Sequence, residues 1–445
     1  MKKIGFLVFV LGFLSTSVFV AFFSPAGATG TIYVRSDGSV DPATAPIQRV
    51  GNIYTLTENI HDAIVVERDN IVVYGAGYTL QGTGSGTGID LSERTNVTIR
   101  NMEIREFLYG VYLYSSLNNS LSGNNVTNNS YGIRLRYSPK NIVSGNNVKN
   151  SFYGIWLTGS SDNTINENII TANNYDGIWL SGSSDYNNVS GNSIKNNGFG
   201  IRIDDYSNNM FRNNDVGNNE YNFGVYGSLL PEFIQDIDES NTVNAKPVYY
   251  WVNRQDMAVP LDAGWIALVN CTRIIVKNLN LANNGQGMLL VYTTNSTITK
   301  NNITDNIHGI YLSGSSNNCI NGNIITANAG NGIYLNYSSN NTFFHNNFTN
   351  NTRQVYNVGV SINVWNNGVA GNYWSDYEDR YPNATELNGS DIWNTPYVID
   401  GNNQDNYPIV IEFPAWTFTL LILVMLTVAL AIYKRRLLKK PAYQQ

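Results

Sequence analysis

Few residues of this chain are of types that do acid–base, nucleophilic or metal chemistry. Three histidines (His61, His308, His345) and two cysteines (Cys271, Cys319) are scattered over 445 residues. Copper takes Cys, Met or His donors, and no two of these sit at ligand spacing. Asp204-Asp205, in IRIDDYS, stand just after Arg202. Carboxylates beside a cation can serve general acid–base work, and a solvated Arg202–Asp204 ion pair is the plainer reading. Glu386, Asn388 and Asp391, in TELNGSD, offer the oxygen donors that calcium takes. The most regular pattern is aromatic. YGIWLTG at 153 and DGIWLSG at 176 put tryptophan at the same place in two successive repeats.

Those tryptophans belong to a column. With the glycine of G-[IVM]-x-[LI] as marker, the motif recurs at Gly88, Gly110, Gly132, Gly154, Gly177 and Gly200, at steps of 22, 22, 22, 23 and 23. Gly224 extends the run by 24, and Gly264, Gly287, Gly309 and Gly332 resume it at 23, 22 and 23. Ile155 and Leu157 alternate around Trp156, which is the strand period, so the second position after the marker points away from the core. That outer column reads Tyr112, Arg134, Trp156, Trp179, Arg202, Tyr226, Ile266, Leu289, Tyr311 and Tyr334. Aromatics at strand spacing form a ladder on which sugar rings can stack, and Arg134, Arg136 and Arg202 can hold acidic groups. The candidate ligand surface is therefore Tyr112, Arg134, Arg136, Trp156, Trp179, Arg202, Asp204, Tyr311 and Tyr334. The same residue types make protein docking surfaces, or pack only against their cross-strand neighbours.

The elements that position this column follow from the repeat. In the Gly154 unit, apolar residues fall at Ile155, Leu157, Ile165 and Ile170, and asparagines at Asn163, Asn168 and Asn173; the Gly309 unit has the same offsets. Each unit holds three short strands with Asn- or Gly-marked corners. One unit cannot bury its own apolar side, so units stack. Three parallel strands per turn give an all-β parallel β-helix, right-handed by the crossover rule. Leucine-rich repeats need leucine spacings that are missing, and propeller blades need about twice the period. Recurrent asparagines would stack as amide ladders.

The predicted organisation is a signal peptide at 1–28, an N-terminal cap and first strands at 29–87, and β-helix repeats at 88–365 with a lateral excursion near 227–260. A terminal element and stalk follow at 366–412, then a transmembrane helix at 413–433 and a basic cytoplasmic tail at 434–445. The first segment has a basic start, an apolar run and an Ala-Gly-Ala site. The second is an uncharged span of membrane length followed by Lys434-Arg435-Arg436, which places the tail inside and the bulk outside. Net charge is -6 with 13% charged residues, which excludes the basic face of a nucleic-acid binder. Asn96, Asn125, Asn188, Asn302, Asn347 and Asn383 begin N-x-[ST] sequons suited to an exported glycoprotein. In a continuous array, Gly200 and Gly309 stand about 19 Å apart, too far for Asp204-Asp205 and His308 to share a site. Cys271 and Cys319 stand about 10 Å apart by the same spacing, beyond disulfide reach, and two free thiols are expected.

The G-I-x-L coils, followed by GNYWSDY and TPYVIDGNNQDNYP, resemble NosD-like β-helix proteins, within the wider carbohydrate-binding and sugar-hydrolysis group. The opening block, APIQRVGNIYTLTENI with VERDNIVVYGAGYTLQGTGSGTGIDL, is similar to archaeal surface members of that group. The resemblance covers nearly the whole ectodomain and implies the β-helix fold. It also implies, through the family's namesake, an exported accessory role beside an ABC transporter during assembly of a copper centre, hence copper binding. The residues themselves call for no cofactor beyond calcium at Glu386, Asn388 and Asp391. The expected function is membrane-anchored, non-catalytic binding of a surface polysaccharide, with a protein partner or a degenerate polysaccharide lyase or epimerase as alternatives.

Overall fold

The computed structural model describes residues 30–205 and 208–410. The segments 1–28, 413–433 and 434–445 lie outside the described residues. Among the described residues, no helix is long and apolar enough to cross a membrane. The fold is a right-handed parallel β-helix of about 15 turns, with almost no helix.

The coil at Gly154 runs through strands Tyr153–Thr158, Thr164–Asn166 and Ile169–Thr171. Each strand pairs in parallel with its counterpart one coil on: Ile155 faces Ile178, Ile165 faces Val189, and Ile170 faces Ile194. These side chains are fully buried, so stacking creates the core that one coil lacks. Buried asparagines line the corners. Asn146 Nδ2 donates to Asn168 Oδ1 at 3.0 Å, and Asn168 Nδ2 to Asn192 Oδ1 at 2.9 Å. The same oxygens accept the backbone N–H of the preceding asparagine. The ladder thus satisfies corner backbone that water cannot reach. The left-handed residues are not these asparagines but the ones before them: Asp162, Glu167 and Ala172, at φ 59°, 57° and 56°.

Coils begin earlier than the markers. Strand Ile32–Val34 already pairs in parallel with Ile64–Val66, and the antiparallel strands Val40–Asp41 and Ile47–Val50 cover the start.

The array is not one continuous stack. Residues 227–260 do more than bulge sideways. Strands Asp236–Ile237 and Thr242–Val243 extend the second and third sheets, completing a coil. The chain then reverses at Asn244 and Ala245, both at positive φ, in the manner of a tight hairpin. Strand Lys246–Val252 runs antiparallel to Thr242–Val243 and starts a second stack, pairing in parallel with Trp265–Val269. Two cores result. Val248, Trp265, Ala267, Leu289 and Tyr311 join the N-terminal core, while Ile266, Leu268, Met288 and Leu290 join the C-terminal one. The first sheet of the C-terminal stack is therefore a wall shared by two cores, which accounts for its unbroken apolar runs WIALV and GMLLV.

The last coil is closed by the segment carrying NYWSDY, TPY and NNQDNYP. Trp374 stacks on Phe348 at 4.4 Å and on Tyr397 at 4.1 Å, and its Nε1 donates to Asp405 Oδ2 at 3.0 Å. These motifs lock a cap onto the open end.

Candidate functional site

The outer column of the N-terminal stack forms as expected from Tyr112 to Arg202: Tyr112, Arg134, Trp156, Trp179 and Arg202 are in register, coil on coil. Beyond Arg202 the column departs from the expectation. Gly224 pairs with Arg202, and Tyr226 pairs with Asp204. Phe223 and Val225 must point inward, so Asn222, not Gly224, takes the marker place. In the second stack, Ile266 aligns with Met288 and faces the core, because Gly264 is one residue out of phase. A one-residue slip exchanges the two faces. Leu289 and Tyr311 are buried in the shared wall, and Tyr334 packs beside it. Tyr311 and Tyr334 stack at 4.5 Å, outside the coil-on-coil register of Tyr112–Arg202.

The rings on that face stack on one another. Trp156 and Trp179 lie 4.2 Å apart with planes 11° apart. The Arg134 guanidinium sits 3.4 Å from the centroid of Trp156, and that of Arg202 4.9 Å from Trp179. Both indoles are thus covered on both faces, and their edges meet solvent. A second file, Tyr109, Tyr131 and Tyr153, stacks alongside at 4.9 and 5.2 Å. Sequence parity places these tyrosines with inward Ile133, but each is the first residue of its strand, at the corner, and is half-buried rather than in the core. The signal was the tyrosine before Gly110, Gly132 and Gly154.

Arg134 is only 8% exposed, and its Nη1 has no hydrogen-bond partner among the described residues. Burial pulls its pKa down to about 10. Tyr109, Tyr112, Tyr131 and Trp156 surround it, and cation–π attraction replaces the missing carboxylate. Arg136, farther out, stands over Tyr137 at 5.2 Å.

One member of the tyrosine file is replaced. Asp176, the residue before Gly177, is 5% exposed, and its carboxylate accepts no hydrogen bond from a described residue. Burial pushes its pKa up to about 6, against the pull of Arg202. Arg202 Nε donates to Asp204 Oδ1 at 3.0 Å, and Trp179 Nε1 to Asp204 Oδ2 at 2.8 Å. Asp176, Arg202 and Asp204 make a charged cluster beside Tyr153, Trp179 and the half-buried Tyr226. Asp176 is the functional candidate that sequence reasoning missed; an acid in a tyrosine column was its signal.

His308 lies beside the stacked Tyr311–Tyr334 pair, with Asn331 Nδ2 3.1 Å from its Nδ1. Burial pulls its pKa down to about 4, so it is neutral. Because the second stack is turned, counting coils does not give its distance from Asp204-Asp205; burial raises the pKa of Tyr311, and after it the charges of Tyr334 and Asp205. Cys271 and Cys319 are both free. Cys271 donates to Trp251 O at 3.3 Å, and Asn321 Nδ2 donates to Cys319 Sγ at 3.3 Å. Glu386, Asn388 and Asp391 lie in one exposed turn, where Glu386 Oε1 accepts the Asp391 N–H at 3.0 Å. Among the described residues, no three of His, Cys, Asp or Glu converge as metal ligands. Met102 and Met288 are buried in different cores. The donors present do not fit a copper centre.

Comparison with solved structures finds β-helix proteins. The Azotobacter vinelandii mannuronan C-5 epimerase AlgE6 A-module is 14% identical over 76% of this chain and 89% of its own, with a TM-score of 0.33. The periplasmic alginate epimerase AlgG is 15% identical over 74% and 84%, at 0.34. The Dettilon tailspike protein is 14% identical over 74% and 60%, at 0.33. No curated protein matches. The family described as periplasmic copper-binding protein (NosD) matches residues 50–244 and 258–379. With coils, shared wall and cap all inside or adjoining that match, the chain belongs to the NosD family.

Proposed function

We propose that this chain is an exported, membrane-anchored surface protein that binds carbohydrate on the outer face of its N-terminal stack without catalysis. The observation that carries the reading is Asp176, a nearly buried carboxylate with no hydrogen-bond donor among the described residues, beside Arg202 and Asp204. Sugar hydroxyls donate and accept in pairs, and carboxylate and guanidinium groups meet them at fixed geometry. Tyr153 and the indole edges supply the apolar wall that sugar C–H groups need. Export through 1–28 and anchoring through 413–433, with the basic tail inside, complete the reading.

The test is a glycan array and calorimetry on the full chain in detergent, with Asp176→Ala and Arg202→Gln. Each variant is expected to weaken binding about tenfold or more, the worth of a hydrogen bond to a charged group. Unchanged binding in both variants would remove this charged cluster as the site.

A second reading is favoured by the same carboxylate. A carboxyl group near pKa 6 is matched to proton transfer, and the face would then turn over a polysaccharide. Release of new chain ends from an alginate or pectate substrate, abolished in Asp176→Asn, would establish it. Copper delivery draws on the family description alone and would need a docked partner to supply donors.

A further inference from the structure

At the corner after its first-sheet strand, the C-terminal stack alternates Tyr292, Gly314, Tyr337 and Gly359. Pairings Val291 with Ser313, Ser313 with Asn336, and Asn336 with Val358 fix this register. All four corner residues are left-handed, at φ 47°, 57°, 46° and 77°. A Cβ built on Gly314 would lie 3.0, 3.0 and 3.1 Å from Cε1, Cζ and Cε2 of Tyr292. Near-equal distances to three atoms of a hexagon place that point close to the ring axis, so the ring lies face-on over the glycine. A Cβ on Gly359 would lie 2.5, 2.7 and 3.0 Å from Cε1, Cδ1 and Cζ of Tyr337. Each tyrosine therefore rests one face on a glycine of the next coil, and any side chain there would lift it.

The other face is open. Tyr292 is 43% and Tyr337 69% exposed, and neither ring stacks on an aromatic or a cation among the described residues. This differs from Trp156 and Trp179, whose faces are covered. It also differs from Tyr137, which rests on Gly159 in the same way but carries Arg136 over its ring.

Two coils separate the rings, about 9.6 Å by the strand spacing. That is the length of one disaccharide in an extended β-linked glycan, so the two rings would meet the same face of every second sugar. Beside them run a hydroxyl row (Thr294, Ser316, Ser339) and an exposed amide row (Asn295, Asn317, Asn340), with no charge in either. We propose that Tyr292 and Tyr337 form a stacking strip for an extended, neutral, β-linked polysaccharide. The ligand class rests on the carbohydrate reading above, but no residue is shared with that face.

The experiment titrates the full chain with cellohexaose, xylohexaose and chitohexaose and with their disaccharides. At least one hexasaccharide is expected to bind about tenfold more tightly than its disaccharide, the worth of one further stacking contact. Tyr292→Ala and Tyr337→Ala should each remove that gain, Tyr292→Phe and Tyr337→Phe should keep it, and Asp176→Ala should leave it unchanged. Hexasaccharide binding that survives the double alanine variant but falls with Asp176→Ala overturns the strip and leaves the N-terminal face as the site. Binding of no hexasaccharide, or equal harm from phenylalanine and alanine, also overturns the strip.

Discussion

Asp176 occupies a place that tyrosine holds in three preceding coils, and the exchange puts an ionisable group where rings would otherwise stack. Its folded pKa is about 6 against an ordinary 3.8. A raised carboxyl pKa means that the neutral form favours folding. That contribution is complete below pH 3.8 and is lost as the pH rises through 6, a cost of about 3 kcal/mol at neutrality. Asp176→Asn is therefore expected to stabilise the chain by about 2–3 kcal/mol at pH 7.5 and to change little at pH 3.5. Urea unfolding across this range measures it, and parallel curves for the two proteins would count against a desolvated carboxylate. Of the candidate face, Tyr112, Arg134, Trp156, Trp179 and Arg202 were legible because strand parity is local. The tyrosine file and Asp176 were not, because they open their strands at the corner, where alternation does not yet tell inside from outside. Nor could parity show that the indoles would lie against each other and against two arginines.

At the scale of the coil, the asparagine ladder carries the fold's specificity. Asn168 is fully buried and takes part in four side-chain hydrogen bonds: its oxygen accepts from Asn146 N and Nδ2, and its Nδ2 donates to Val143 O and Asn192 Oδ1. Asn168→Ala leaves several of these partners buried without a mate. At about 1–3 kcal/mol for each unmet group, a loss of about 3–5 kcal/mol is expected from chemical denaturation. Asn166→Ala, on the outer side of the same coil, is expected to cost less than about 1 kcal/mol. Equal losses at the two positions would mean that the ladder is incidental to stability. The repeat that builds this ladder is plain in the sequence because every coil templates the next. Where templating lapses, glycine misleads: Gly224 and Gly264 have the right look, but the inward demands of Phe223 and Ile266 set the register.

On the scale of the whole molecule, the shared wall makes two stacks one body. Trp265 is fully buried at its centre. It stacks on Phe223 at 4.9 Å, leans on Tyr250 at 6.0 Å, and donates Nε1 to Gln286 O at 2.6 Å. Gln286 in turn reaches across the junction, where Nε2 donates to Val225 O at 3.2 Å and Oε1 accepts from Val225 N at 3.3 Å. Solenoids unfold as coupled nearest neighbours, so the weakest interface decides whether melting is one transition or two. With Trp265 in place, the last N-terminal coil is capped by the outer face of the second stack, and a single cooperative transition is expected. Trp265→Ala opens a cavity worth about 3–5 kcal/mol at the centre of the wall where side chains of the two stacks meet. The variant should melt in two calorimetric steps. The N-terminal stack should go first, because its core is then open at the coil containing Phe223, whereas the C-terminal stack keeps its cap on Trp374 and Tyr397. Proteolysis should accordingly begin in residues ahead of Asn244. One transition at a uniformly lowered temperature would instead mean that the hairpin and the Gln286 bonds suffice to couple the stacks.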